Sequence, residues 1–132
     1  YKEMKVGEKQ SAKWMRNEAV DVTSGWLLSG NKIDAIAANN DEMAIGAIMA
    51  LNQSGKKDIL VAGIDGTPDA LQFIKNGKLA LTVFQDAAGQ GKGAVTMAKQ
   101  VIDGKNGDKF MWIPYQVSTK DNYEAFVSKN VK

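Results

Sequence analysis

The chain contains no cysteine and no histidine. The first absence excludes disulfides, cysteine-ligated zinc and thiol nucleophiles. The second removes the commonest general base and the commonest zinc ligand, so a serine–histidine–aspartate triad cannot form. No apolar run approaches the roughly 18 residues needed to span a bilayer. There is no dense block of one charge sign either: 17 Lys and Arg face 15 Asp and Glu, for a net +2. Phosphate binding needs clustered cations, so no nucleic-acid partner is expected. The chain shows no signal peptide and does not open with Met; Tyr1-Lys2-Glu3 reads as the interior of something longer.

What remains is ordinary globular material. The 132 residues, 44% hydrophobic and 24% charged, are enough for one domain. A chain of this size buries about two-thirds of its unfolded surface. Strand and helix signals alternate along it, the pattern of a parallel α/β sheet. Tyr1–Val6 is a weak strand candidate, and Gly7–Lys13 a polar loop. Arg16–Leu28 has Ala19, Val22, Trp26 and Leu27 at helical spacing. Ala35–Ala38 is a short apolar run, as expected of a strand covered on both faces. Asp41–Ser54 is the strongest helix, with Gly55 as its stop. Ile59–Ile64 is a continuous apolar strand. Thr67 and Pro68 supply a cap and a first helical position, and that helix runs to Asn76-Gly77. Leu79–Phe84 is another buried strand. Ala88–Asp103 is helical, with Ala94, Met97, Ala98, Val101 and Ile102 as its stripe. Met111–Ile113 and Tyr115–Val117 are extended pieces split by Pro114. Thr119–Ser128 closes the chain as a helix with Tyr123, Phe126 and Val127 inward.

In an open parallel sheet, ligands bind in the crevice outside the carboxyl ends of the strands. Four residues fall at such ends or just beyond them: Trp14, Asn40, Asp65 and Gln85. An aromatic plate with two amides and a carboxylate suits a sugar, which has apolar C–H faces and a belt of hydroxyls. Asn40 also sits where a helix cap belongs, and capping alone would explain it. Its amide carries donor and acceptor together, matching two neighbouring hydroxyls. Asp65, in Gly63-Ile64-Asp65-Gly66-Thr67-Pro68, is either a turn residue bonded to nearby N–H groups or an acceptor for two hydroxyls. Gln85 gains its weight from being third in the series. Trp14 is either a core residue, as Trp26 is expected to be, or a stacking plate; it follows a polar loop and lies outside any apolar stripe, which favours exposure and stacking. Arg16 is equally an ion-pair residue or a ligand contact.

Two other groupings carry less. Asp41-Glu42 at a helix start answer the macrodipole. As paired carboxylates for hydrolysis they fail, because adjacent helix positions point apart. Gly89-Gln90-Gly91-Lys92-Gly93 lacks the Gly-Lys-Ser/Thr ending of a phosphate loop. No catalytic residue, metal site or cofactor is expected.

At Ala38-Asn39-Asn40-Asp41-Glu42-Met43-Ala44-Ile45-Gly46-Ala47, followed by Gly63-Ile64-Asp65-Gly66-Thr67-Pro68, the chain resembles the periplasmic sugar-binding proteins of ABC importers. Within that family it is similar to the ribose, glucose/galactose and inositol branch. The ending Ile113-Pro114-Tyr115-Gln116-Val117 and Thr119-Lys120-Asp121-Asn122 is most like the glucose/galactose and inositol members. The resemblance implies a flavodoxin-like, parallel-sheet α/β lobe of a two-lobed type I periplasmic binding protein, present incompletely. Trp14 would be the ring-stacking aromatic, Asn40 and Asp65 the hydroxyl binders, and Gln85 the residue at an inter-lobe crossover. Residues 1–85 and 113–132 would form the carboxy-terminal lobe, lacking its first strand and helix; residues 86–112 would cross to the other lobe. The implied partners are a monosaccharide or inositol, an ABC permease and the missing remainder of the same protein, in the periplasm. With its central neighbour strand absent, Tyr1–Val6 would be an edge strand, and the helix Ala88–Asp103 would expose its stripe.

Two other functions share parts of this description. The effector-binding core of a sugar-responsive transcription repressor has the same fold; an upstream helix-turn-helix or operator binding would mark it. A sugar-processing enzyme is disfavoured by the missing His and Cys and by the lack of an opposed acid/base pair; turnover of a sugar would mark it.

Overall fold

The computed structural model describes residues 2–105 and 109–130. Helix α1 (Arg16–Leu28) is followed by β1 (Ala35–Ala37), α2 (Asp41–Gln53), β2 (Leu60–Asp65) and α3 (Pro68–Lys75). The chain continues through β3 (Leu81–Phe84), α4 (Ala87–Ile102), β4 (Gln116–Thr119) and α5 (Glu124–Asn130). The strands form one sheet in the order β1-β2-β3-β4. β1, β2 and β3 are parallel neighbours, and β4 joins β3 antiparallel. The expected α/β lobe with a parallel-dominated sheet is therefore what forms.

Local chemistry sets the helix starts. Asn40 caps α2 through its side-chain oxygen, which accepts from Met43 N at 2.9 Å. Thr67 caps α3 by accepting from Ala70 N, and Pro68 takes the first helical position. Asp86 caps α4 by accepting from Gly89 N at 2.8 Å.

The strands alternate sharply in burial. Ile36, Val61, Thr82 and Phe84 point into a core shared with Ile48, Leu71, Ile74 and Phe126. The register puts Ala35 beside Leu60, and Ala37 beside Ala62 and Leu81, on the opposite face. That face is open: Ala35, Ala37 and Ala80 are exposed, and Leu60 is 64% exposed. A shallow apolar cavity of about 210 Å³ lies there, lined by residues that include Leu60, Ala80 and Leu81. β1 was expected to be covered on both faces. Its sequence is apolar on both, but helices cover only one.

Three other expectations need correction. Residues 2–6 form no strand, and Met4 and Val6 are 76% and 73% exposed; Tyr1 lies outside the described residues. An extended segment without a hydrogen-bonding neighbour has nothing to pair its backbone with. The closing helix starts at Glu124 rather than Thr119, because Thr119 ends β4 and Asn122 Oδ1 accepts from its N–H at 2.7 Å. Phe126 is buried and Tyr123 half-buried, but Val127 is exposed. Met111–Ile113 lies outside the strands. As expected, α4 leaves its stripe bare: Gly93, against Met111 and Ile113, is its one buried residue, while Val101 and Ile102 are 75% and 84% exposed.

Candidate functional site

The carboxyl ends of three adjacent parallel strands carry Asn40, Asp65 and Gln85, so these residues follow one another along a single rim. Trp14 joins them from the loop before α1, since Asn40 Nδ2 donates to its carbonyl at 3.2 Å. Asn40 caps α2, as its position suggests, and it also ties a neighbouring loop. Its oxygen caps α2 and its nitrogen ties the Trp14 loop, leaving one N–H and one lone pair unspent. The Trp14 side chain is largely in solvent, 64% exposed, whereas Trp26 packs on the core as expected.

Asp65 and Gln85 meet directly. Gln85 Nε2 donates to Asp65 Oδ1 at 2.8 Å, and Gln85 N donates to the Asp65 carbonyl at 3.0 Å. Among the described residues, three non-glycines have positive φ: Lys13 at 50°, Trp14 at 65° and Asp65 at 126°. Two of the three belong to the candidate site. Such conformations cost about 1–3 kcal/mol each and survive where the surroundings over-determine them, which is typical of functional sites. Next to Asp65, Gly66 is obligatory. Its φ is +75°, and an added Cβ would lie 2.6 Å from the Phe84 ring and 3.0 Å from the Phe84 Cα.

Beneath the rim lies a residue that sequence reasoning misjudged. Asp41, read as an answer to the helix dipole, is completely buried. Its two oxygens accept from the Thr82 hydroxyl at 2.6 Å and from Thr67 N at 2.7 Å. Thr82 Oγ1 in turn accepts from Gly66 N at 3.2 Å. One carboxylate therefore fastens the segments that follow β1 and β2 to the body of β3, with Asn40 and Asp65 close to the residues it joins. Burial pushes its pKa above the ordinary carboxylate value, opposed by the hydrogen bonds from Thr82 and Thr67. Gly63 leaves room for it, since any side chain there would collide with Asp41 Oδ1.

Arg16 is the predicted site residue most fully engaged elsewhere. Its Nε and one terminal nitrogen grip Glu42 at 2.9 and 2.8 Å, and the same terminal nitrogen reaches Asp69 at 3.0 Å. The hydrogen bonds it donates to Glu42 and then to Asp69 raise its pKa further above the normal arginine range. The fork ties the Trp14 end of α1 to the first turns of α2 and α3. A second residue not singled out from sequence, Tyr115, donates from its hydroxyl to Gln85 Oε1 at 2.9 Å. The arrangement offers an exposed aromatic plate, unspent amide groups and a carboxylate oxygen along one edge. It has the donors and acceptors to grip hydroxyls.

Comparison with known proteins gives the chain a lineage. A periplasmic binding protein domain matches residues 1–106. The chain belongs to the periplasmic binding protein family. A family relative from Rhizobium meliloti, named for rhizopine binding, is 41% identical over 131 residues, covering 98% of this chain and 42% of its own length. The ribose import binding protein of Bacillus subtilis is 42% identical over 117 residues, covering 89% of this chain and 38% of its own length. Among solved structures of the family, an ABC transporter solute binding protein from Bacillus halodurans with bound myo-inositol superposes with a TM-score of 0.87. It shares 48% identity over 95% of this chain and 44% of its own. This periplasmic binding protein chain thus spans about two-fifths of the length of the relatives it matches.

Proposed function

We propose that this chain is the carboxy-terminal lobe of a non-catalytic solute receptor that closes on a monosaccharide or cyclitol and presents it to an ABC permease. In this reading residues 1–85 and 113–132 form the lobe, and residues 86–112 cross to a partner lobe. Trp14 stacks on the ring, Asn40 and Asp65 bind hydroxyls, and Gln85 does so at the crossover. Arg16 acts from behind, by holding the Trp14 loop. The observation that carries the reading is the convergence of Trp14, Asn40, Asp65 and Gln85 on one rim, with two of them in strained backbone. The myo-inositol bound to the similar Bacillus halodurans protein supports a polyol as the ligand class. The relatives' names support a periplasmic location and delivery to an importer.

The mechanism that follows is hinge closure with a population shift on binding. Ligand held between two lobes stabilises the closed form, and the permease would recognise that form. This lobe alone supplies one wall. A micromolar ligand carries about −8 kcal/mol, and loss of the opposite wall would weaken it to roughly millimolar or beyond.

A thermal-shift panel of pentoses, hexoses and inositols on the two-lobed protein tests the reading, because a ligand that binds only the folded state raises the melting temperature by mass action. At least one polyol should give a saturable rise. Asp65→Ala and Trp14→Ala should abolish it; the first removes charge-assisted bonds worth about 1.5–3 kcal/mol each. A panel without any response, or a response unchanged in both variants, would refute the proposal.

A further inference from the structure

The β3–β4 ladder ends at the pair Phe84 and Gln116. One step further the antiparallel register sets Gln85 opposite Tyr115, and there the two are joined by their side chains rather than their backbones. The Tyr115 hydroxyl meets Gln85 Oε1 at 2.9 Å, and Gln85 Nε2 meets Asp65 Oδ1 at 2.8 Å. Chemistry fixes the direction of this chain of bonds. A carboxylate only accepts, so the amide nitrogen must face Asp65; the amide oxygen then only accepts, so the Tyr115 hydroxyl must donate.

We propose that Tyr115 is a positioning residue for ligand, holding the Gln85 amide so that Gln85 and Asp65 together read a single hydroxyl. The proposal rests on the reading of Asp65 and Gln85 as ligand-binding groups. After the bonds above, Gln85 retains one N–H and Asp65 retains Oδ2. A group meeting both must donate to a carboxylate and accept from an amide. A hydroxyl can do both. A carbonyl oxygen cannot donate, and an ammonium cannot accept. Tyr115 contributes in two ways. It stops the long Gln85 side chain from swinging out of line, and its donation to the amide oxygen polarises the remaining N–H. Pro114, immediately before it, has a fixed φ and limits the freedom of that backbone. Because Gln85 and Tyr115 flank the segment 86–112, the same bonds connect the ligand contact to both strands at the point where the chain leaves the sheet and returns.

The test uses the two-lobed protein, labelled with ¹⁵N, and myo-inositol and D-ribose as probes. The Gln85 side-chain amide signals are assigned by their disappearance in Gln85→Ala. In Tyr115→Phe these signals should shift and exchange faster with solvent, already without ligand. Affinity for the bound probe should fall about tenfold, near the effect of one lost hydrogen bond. In the double variant Tyr115→Phe with Gln85→Ala, affinity should equal that of Gln85→Ala alone. Unchanged Gln85 signals in Tyr115→Phe would overturn the proposal, and so would fully additive losses in the double variant. If neither probe binds the unaltered protein, the ligand reading fails for these polyols, while the amide signals still decide whether Tyr115 holds Gln85.

Discussion

The rim at the ends of β1, β2 and β3 and the stretch from α4 to Ile113 obey opposite rules. On the rim the polar groups partner one another. Asp41 serves β3 and the segment after β2, Arg16 serves two helices, and Asn40 and Gln85 each make two bonds. In the second stretch the unmatched groups are apolar. Val95, Val101, Ile102, Phe110 and Trp112 are each more than 60% exposed, and Phe110 meets Trp112 edge-on. The open face of the sheet, from Ala35 to Leu60, belongs with them. The difference teaches that a polar rim and the apolar surfaces beside it can be completed separately. The polar groups of the rim find partners within this chain. The apolar surfaces need something to cover them, and buried apolar area is the main favourable term in folding.

The largest expected effect breaks the comparison at its weak half. Residues 1–132 produced alone should give no cooperative monomeric melt, because β1 has a free edge and the open face and α4 keep their apolar surface in water. Co-production with the complementary lobe should restore a single transition. Circular dichroism with sedimentation is the measurement, and a soluble, cooperatively melting monomer of the isolated chain would contradict the account.

A smaller effect probes the strong half. In the proposed two-lobed protein, Asp41→Asn puts an amide N–H against a donor that the carboxylate satisfied, and should cost about 1–3 kcal/mol of stability. The pH dependence has a definite sign. The native pKa is raised by burial above the value of 3.8, so the native state holds its proton where the unfolded state has lost it. The advantage of the unaltered protein over the Asp41→Asn variant should therefore be greatest below pH 3.8 and shrink as pH rises through the raised native value. Denaturant melts of both proteins across that range decide it. An advantage that grows with pH would mean the carboxylate is better solvated than its surroundings indicate.

Much of this was legible in the sequence, and what was not has a common cause. α1 matches its expected limits of Arg16 and Leu28, and the starts of α2 and α3 follow from Asn40 and Thr67-Pro68, since caps and helical spacing are local signals. The parallel strands were found within a few residues because their apolar runs are bounded by turn residues. The failures concern partners far away in the chain. Residues 2–6 have strand composition but no neighbour. Asp41 is 41 residues from Thr82, and Gln85 is 30 from Tyr115, so neither bond leaves a trace in local spacing. The open face of β1 was misread for the same reason: composition says that a face is apolar, and only the fold says whether anything covers it.

The smallest effect sharpens the comparison at a single residue. Asp65 has a φ of 126°, a region where a Cβ is disfavoured and glycine is at ease. In most strand positions alanine outperforms glycine, because glycine gives up more freedom on folding. Here the order should invert. Asp65→Ala and Asp65→Gly both lose the carboxylate and its bond to Gln85, so their difference isolates the backbone. The glycine variant should be the more stable by about 1 kcal/mol in the absence of ligand, and neither should respond to a polyol. If alanine proves equal or better under denaturant, Asp65 is not strained. The conformation would then be a neutral feature of the turn rather than a strain that the fold maintains to aim a carboxylate at the rim.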